Sequence, residues 1–148
     1  MKYKRIAVTC LLAFLLFVFP ACAAADGQNL LEIDDGTTVT VPEARWIFSL
    51  DKKGTAADGA RYLIEEITEA VKAEIPVNMP FTVHWRKDLR SASYSVYAAD
   101  GTEITWRSKE LLFPEEPGDY ICVAEGVFGT AKVYDGYQFL FCFTVPEA

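Results

Sequence analysis

The feature that most constrains the fold is a strict alternation of apolar and polar side chains, which begins at Phe81. In residues 81–86 every second side chain is apolar, and residues 93–98 repeat the pattern. Successive side chains of a β-strand point to opposite faces, so a period of two is typical of strands with one buried face. This part of the chain is therefore predicted to form β-sheet.

Turn residues indicate further strands downstream. Asp100 and Gly101 are typical of a two-residue hairpin turn, and they lead into a strand predicted at residues 103–106. The same pattern predicts a short strand at residues 111–113 and a pairing of residues 119–125 with residues 137–145. Short strands at turn-marked intervals are typical of a β-sandwich.

The chain before Phe81 has a hairpin signal and a further strand. Residues 30–33 and 37–41 flank the sequence Asp-Asp-Gly, and these residue types tolerate the backbone of tight turns. Residues 46–50 are the next strand candidate, and they end at the turn-rich residues 51–54.

Residues 60–73 are the helix candidate. Leu63, Ile67 and Val71 recur at helical spacing, with glutamates between them. The stretch at residues 64–68 is also compatible with extended structure at a sheet edge, and Pro76 closes the segment in either case. The sequence leaves the choice between helix and strand open.

A motif at residues 116–122 points to a particular kind of sandwich. Glu116, Gly118, Tyr120 and Cys122 follow one another at every second position, a spacing that resembles the tyrosine corner of immunoglobulin-like sandwiches. The whole run of residues 81–145 resembles immunoglobulin-like domains of secreted and lipid-anchored proteins of Gram-positive bacteria. The resemblance implies an immunoglobulin-like antiparallel β-sandwich, with Gly118 and Tyr120 as its structural corner, and it says almost nothing about activity.

The chain departs from that family in its cysteines. Residues 81–85 contain no cysteine and residues 93–98 contain no tryptophan, although immunoglobulin domains have them on the corresponding strands. Cys122 and Cys142 are an even pair, which in an exported protein favours a disulfide, here across neighbouring strands of a hairpin centred near Lys132. Two buried reduced thiols are the alternative, and a one-residue shift in register would put the cysteines on opposite faces.

The expected register has a second consequence. It places the apolar residues around Ile121 and Phe141 on the face opposite Tyr120 and Cys122, so both faces of this strand pair look apolar. Either both faces are covered within the molecule, for instance by residues 60–73, or one of them is a partner surface.

The first residues have the pattern of an export signal. Lys2, Lys4 and Arg5 precede an apolar run at residues 6–19, and small residues follow Pro20. We therefore expect a signal peptide over residues 1–25 and a single domain over residues 26–148, a chain of about 123 residues, which is an ordinary size for one domain.

Cys22 leaves two routes of processing open. A cysteine after an apolar run resembles the lipobox of bacterial lipoproteins, and Ala21 fits that pattern. Phe19 and Pro20 fit it badly, whereas the alanines around Cys22 suit ordinary signal peptidase. Free secretion is therefore favoured, and attachment to the outer face of the cytoplasmic membrane by a lipid on Cys22 is the alternative.

Charge narrows the classes of partner. The 148-residue chain has a formal charge of −7, and removal of the three basic signal residues would take it to −10. Binding to nucleic acid depends on neutralising phosphates with Lys and Arg, so nucleic acid is an unlikely partner. An anionic lipid surface is disfavoured for the same reason.

Catalytic and metal-binding patterns are lacking. His84 is the only histidine, and its place in an alternating strand predicts an ordinary, partly exposed side chain. Zinc sites need three or four suitable ligands at helpful spacing, and no such set, nucleophile elbow or phosphate-binding loop stands out. We expect neither a metal nor another cofactor, and no enzymatic activity.

Aromatic residues are the best binding candidates. Exposed aromatics anchor protein interfaces and sugar rings alike, and the chain has three tryptophans (Trp46, Trp85 and Trp106) and seven tyrosines. The connection at residues 126–136 carries Phe128 and Tyr134 as a candidate partner surface, unless it is a plain hairpin loop. The expected function is a non-enzymatic exported module for binding or structure with an unknown protein or glycan partner; a secreted inhibitor or carbohydrate-binding module is the alternative.

Overall fold

The computed structural model describes residues 29–73 and 76–147. The expected signal peptide and Cys22 lie outside these residues. Within them the chain forms one helix and ten strands, in this order: β1 (Leu31–Asp34), β2 (Val39–Thr40), β3 (Ala44–Leu50), β4 (Ala56–Asp58), α1 (Ile64–Ala73), β5 (Val77–Asn78), β6 (Thr82–Trp85), β7 (Leu89–Ala98), β8 (Glu103–Ser108), β9 (Gly118–Gly129) and β10 (Tyr134–Val145).

The strands form two sheets, and the fold is mainly β, as predicted. The small sheet has the order β2-β1-β6, and the large sheet has the order β4-β3-β10-β9-β7-β8 and curls into a half-barrel. All pairs are antiparallel except β5 and β10, which run parallel at residues 143–144. β3 and β5 share one edge of β10, because β3 pairs with residues 134–139 of that strand.

The main core lies between the two sheets. Leu31 and Ile33 of β1 are completely buried in a cluster with the large sheet, where Phe139, Phe141 and Phe143 project from β10. We call this side of the large sheet the inner face. Removal of so many aromatic and aliphatic side chains from water supplies the main driving force for joining the sheets.

Trp85 connects the two sheets directly. It lies at the end of β6, and its ring packs 5.5 Å from Phe139 and 6.0 Å from Phe128, measured between ring centroids. Its indole Nε1 donates a 2.6 Å hydrogen bond to the hydroxyl of Tyr94 on β7. The one polar atom of the tryptophan ring is thereby satisfied inside the core.

The opposite side of the large sheet, the outer face, is partly covered by α1. Ile67 is buried in a second cluster with residues of β7, β9 and β10: Tyr97, Ile121, Val123, Leu140 and Cys142. The helical interpretation of residues 60–73 is thus confirmed from Ile64 onward. Both apolar faces of the β9–β10 pair are covered within the molecule, one by the small sheet and one by the helix.

The hairpin at the start of the chain is also confirmed. Ile33 pairs with Thr40, and Gly36 in the turn has φ +83°, which glycine adopts without strain. The carboxylate of Asp35 accepts hydrogen bonds from the backbone N–H groups of Thr37 and Thr38 at 2.9 and 2.8 Å. These bonds hold the pKa of Asp35 well below its usual range.

The connection expected at residues 126–136 is wrong, since most of it belongs to two long strands. β9 continues to Gly129 and β10 begins at Tyr134, which leaves a short turn closed by a 2.7 Å bond from Thr130 N–H to the Val133 carbonyl. Glycines in strands often mark a close approach of other groups. A Cβ on Gly126 would meet the Trp85 ring, and one on Gly136 would overlap Phe48.

The expected disulfide is also wrong, because the register differs by one residue. Cys122 lies opposite Phe141, and Cys142 lies opposite Ile121. Cys122 is consequently buried in the inner core, Cys142 is buried on the outer face under α1, and these two described cysteines are not bonded to each other. The phenylalanines of β10 accordingly share the face of Tyr120 and Cys122, not the opposite one.

Residues 111–113 do not form the predicted strand. They belong to the connection between β8 and β9 and end at Pro114, which has no backbone N–H for a sheet. Phe113 packs edge-on against Phe81 and Phe143, with centroids 5.3 and 5.7 Å apart. Its apolar character reflects a loop that caps the end of the core.

Tyr120 is placed at the start of β9. Its hydroxyl donates a 2.9 Å hydrogen bond to the carbonyl oxygen of Glu116, and its ring stacks on Phe143 at 5.7 Å. Gly118 has φ +151°, at the margin of the region that favours glycine. The hydroxyl therefore fastens the connection that enters β9 to the body of the sheet.

Candidate binding groove

The outer face of the large sheet is open beyond the end of α1. Two adjoining hollows, of about 400 and 220 Å³, lie there and share Arg61, Arg107 and Glu125 in their walls. We call the two hollows and these three residues the outer groove. The remaining wall residues include, in the larger hollow, Ile47, Phe48, Ser91, Ser93, Lys109 and Val127 and, in the smaller one, Tyr62, Ser95, Tyr97, Trp106 and Gln138.

Glu125 lies at the centre of the outer groove. It projects from β9 with 18% of its side chain exposed, and it pairs with Arg61 at Oε1 and with Arg107 at Oε2, the latter at 3.0 Å. Burial alone would raise the pKa of Glu125. Hydrogen bonds from Gln138 and Arg61, and the charges of both arginines, more than offset it and lower that pKa below its usual range.

Gln138 fixes this arrangement to the sheet. It faces Glu125 across the β9–β10 ladder and is only 5% exposed. Its Nε2 donates to Glu125 at 2.9 Å, and its Oε1 accepts from the backbone N–H of Tyr62 at 2.9 Å. The amide therefore holds the segment that leads into α1, and with it Arg61, above the sheet.

An irregularity in edge strand β8 brings the other side of the groove into place. Tyr94 pairs with Ser108 and Val96 with Thr105, so Trp106 and Arg107 together lie opposite the single residue Ser95. Such a bulge redirects side chains and often marks functional positions. Arg107 has φ +47°, an uncommon value for a residue with a side chain, and its backbone N–H donates to the Ser95 hydroxyl at 3.1 Å.

The bulge leaves two side chains of β8 on the groove. Trp106 is 60% exposed, and the guanidinium carbon of Arg107 lies 5.7 Å from the centroid of its ring. Arg107 then reaches across β7 to Glu125 on β9. A large aromatic surface and a cation thus stand side by side at the rim.

The charge of the groove is opposite to that of the chain. Its walls hold three cations, Arg61, Arg107 and Lys109, against the one carboxylate of Glu125. The chain as a whole has a formal charge of −7. A cleft lined by one sign of charge raises the local concentration of ligands of the opposite sign.

The largest cavity, of about 580 Å³, lies elsewhere, between the β1–β2 hairpin and the residues around Pro76. Its walls include the carboxylates of Asp35 and Glu43 and no cation among the described residues. Asp35 is already engaged in its own turn. We therefore place the candidate site in the outer groove, where charged groups from β8, β9 and the segment before α1 converge on one point.

The predicted partner surface is not formed as expected. Phe128 is 2% exposed and lies in the inner core, whereas Tyr134 is half-buried on the outer face, 6.2 Å from the ring of Phe48. The structure does not bring these two residues together. Among the aromatics singled out from the sequence, Trp106 is the one that lines the groove, and Trp85 belongs to the core.

His84 is exposed on β6, opposite Glu32 of the small sheet. It is therefore on a different sheet from the groove. The described residues hold no group of three or more His, Cys, Asp or Glu side chains that could bind a metal ion. Within the same part of the chain, no helix has the length and apolar character needed to cross a membrane.

Sequence patterns missed the charged residues of the groove. Glu125 and Gln138 are polar residues set in the apolar strands β9 and β10, and polar interruptions of this kind are a usable signal. Arg61 and Arg107 gave none, because their meeting with Glu125 depends on a bulge and on the path of a loop.

Comparison with known proteins gives no relative. No protein-family model matches the chain, and no curated protein and no solved structure matches it either.

Proposed function

We propose that this protein is a non-enzymatic, exported, immunoglobulin-like binding module that holds an acidic ligand in its outer groove. The observation that carries the proposal is the Arg61–Glu125–Arg107 cluster, in which two guanidiniums share one carboxylate between two hollows. Clefts with a few convergent polar groups are the usual form of ligand sites.

Two features support the immunoglobulin-like part of the proposal. Antiparallel sheets face each other across one core, and the Tyr120 hydroxyl bonds back to the backbone of residue 116 as in a tyrosine corner. The export signal read from residues 1–25 supports a location outside the cytoplasm, either free or anchored through a lipid on Cys22.

The chemistry of the groove supports binding over catalysis. The groove cations are paired with Glu125 or exposed, and the residues best suited to nucleophilic or acid–base chemistry lie elsewhere. His84 is on the small sheet, and the thiol of Cys122 is in the core, where burial raises its pKa and keeps it protonated. Neither group can reach a ligand held above Glu125.

Binding of charged polymers tests the proposal. Polyglutamate, polygalacturonate and polylysine are titrated into the protein at about 0.1 M salt, where the Debye length of about 10 Å screens the remaining negative charge of the chain. We expect binding of at least one polyanion and its loss in a double variant, Arg61→Gln with Arg107→Gln.

The matched control is Arg86→Gln with Lys53→Gln, which removes the same charge from sites away from the groove. The control pair should bind as the unaltered protein does. The proposal is overturned if no polyanion binds, or if the control pair loses as much affinity as the groove pair.

A further inference from the structure

We infer that the acidic ligand of the outer groove is a saccharide built from uronic-acid-type sugars. Its carboxylate would lie against Arg61 and Arg107, and its ring would stack on Trp106. This inference rests on the proposed function and narrows the ligand to one chemical class.

The carboxylate is accommodated by the guanidiniums that Glu125 leaves available. Each guanidinium has five N–H donors, and Arg61 and Arg107 give nitrogens to opposite oxygens of Glu125. Their side chains remain 44% and 47% exposed, so donors face the groove. Two cations that share one anion retain a net positive charge, and the planar guanidinium fits a second carboxylate.

The sugar ring is accommodated by Trp106. This side chain is 60% exposed, beside Arg107, on a strand whose bulge turns both residues toward the same hollow. A uronic acid carries a flat C–H face and a carboxylate on one ring, so it matches an aromatic surface and a cation held next to each other. The hydroxyls of Ser91 and Ser93 in the adjoining hollow suit further sugar units.

The topology disfavours an extended acidic peptide as the ligand. A peptide that binds as an added strand needs a sheet edge with available backbone groups. The floor of the outer groove consists of β9 and β7, and each of these strands already has a partner on both sides. A ligand above Glu125 must therefore be recognised through side chains, which suits a saccharide with substituents all around its ring.

Calorimetric titration with three probes tests the inference. The probes are trigalacturonic acid, the neutral galactose trimer of the same linkage, and a glutamate-rich peptide of equal charge. We expect the acidic trimer to bind at least about tenfold more tightly than either comparator, a difference of about 1.4 kcal/mol. Trp106→Ala should weaken binding of the acidic trimer by a similar factor, while Trp46→Ala on β3 should leave it unchanged.

The outcomes separate the inference from the proposed function. Binding of the peptide but not of the acidic trimer, with loss of peptide binding in the Arg61 and Arg107 variants, overturns the saccharide and leaves an acidic ligand standing. Equal binding of neutral and acidic trimers overturns both, because charge would then play no part. An acidic trimer whose affinity is indifferent to Trp106→Ala overturns the stacking on this ring, and with it the inference.

Discussion

The two faces of the large sheet are built from the same strands and end differently. On the inner face β9 and β10 present apolar side chains along most of their length, and the small sheet covers them. On the outer face Ile121, Val123 and Leu140 lie under α1, and the next pair along the ladder is Glu125 opposite Gln138. One polar cross-strand pair marks where the covering helix ends and the groove begins.

This difference has a simple physical basis. A helix covers a sheet only where apolar side chains repay the desolvation of the backbone and side chains beneath it. Gln138 also bonds the backbone of Tyr62, so the polar pair determines where the chain leaves the sheet to start α1. The inner face should therefore govern stability, and the open part of the outer face should govern binding.

The largest expected effect comes from the tryptophan that joins the sheets. Trp85→Ala removes ring contacts with Tyr94, Phe128 and Phe139 and leaves a cavity, so we expect a loss of about 3–5 kcal/mol in the free energy of unfolding. Denaturant titration followed by circular dichroism measures it. Trp106→Ala is the matched control, and an exposed side chain should change stability by no more than about 0.5 kcal/mol. Similar losses in the two variants would erase the distinction between the faces.

A smaller effect is expected from the hydroxyl that fastens the entry to β9. Tyr120→Phe keeps the ring stacked on Phe143 and removes the bond to the Glu116 carbonyl, so stability should fall by about 1 kcal/mol, the usual net value of one hydrogen bond. Tyr137→Phe is the control, since its hydroxyl has no hydrogen-bond partner among the described residues. An unfolding midpoint that moves equally in both variants would argue against a role for the corner.

The sequence predicted more of the inner face than of the outer one. Alternation in residues 81–86 and 93–98 follows directly from burial of one strand face, and it located β6 and β7. The helical spacing of residues 63 and 67 likewise reflects burial, because Ile67 packs on the sheet. Local patterns succeeded where one apolar surface decided the structure.

The failures have physical causes as well. Gly126 and Gly136 suggested a loop, but they are strand residues overlaid by the rings of Trp85 and Phe48, which no local pattern reveals. The cysteine pairing failed by one residue, and a turn one residue shorter or longer exchanges the two faces of a strand. The groove depends on the β8 bulge and on Arg61, whose contact with Glu125 spans 64 positions in sequence.

The smallest stability effect concerns Glu125 and acidity. Its pKa in the folded protein is below the unfolded value, so its stabilising contribution is present above the unfolded pKa of about 4.3 and is lost as pH falls through the folded pKa. The stability difference between the unaltered protein and Glu125→Gln should therefore shrink below about pH 4. We expect it to stay near 1 kcal/mol or less at pH 7, because both arginine partners are about half exposed. A difference that grows on acidification would reverse the assigned direction.

The contrast between the two faces is tested most directly by ionic quenching of tryptophan fluorescence at constant ionic strength. The emission lost in Trp106→Phe reports on Trp106, and its quenching by iodide and by caesium is compared with that of free tryptophan amide. A basic groove on an acidic protein predicts that iodide is favoured at Trp106, and that the preference disappears when Arg61 and Arg107 are both changed to glutamine. A preference for caesium at Trp106, or protection of Trp106 from both ions, would contradict the account.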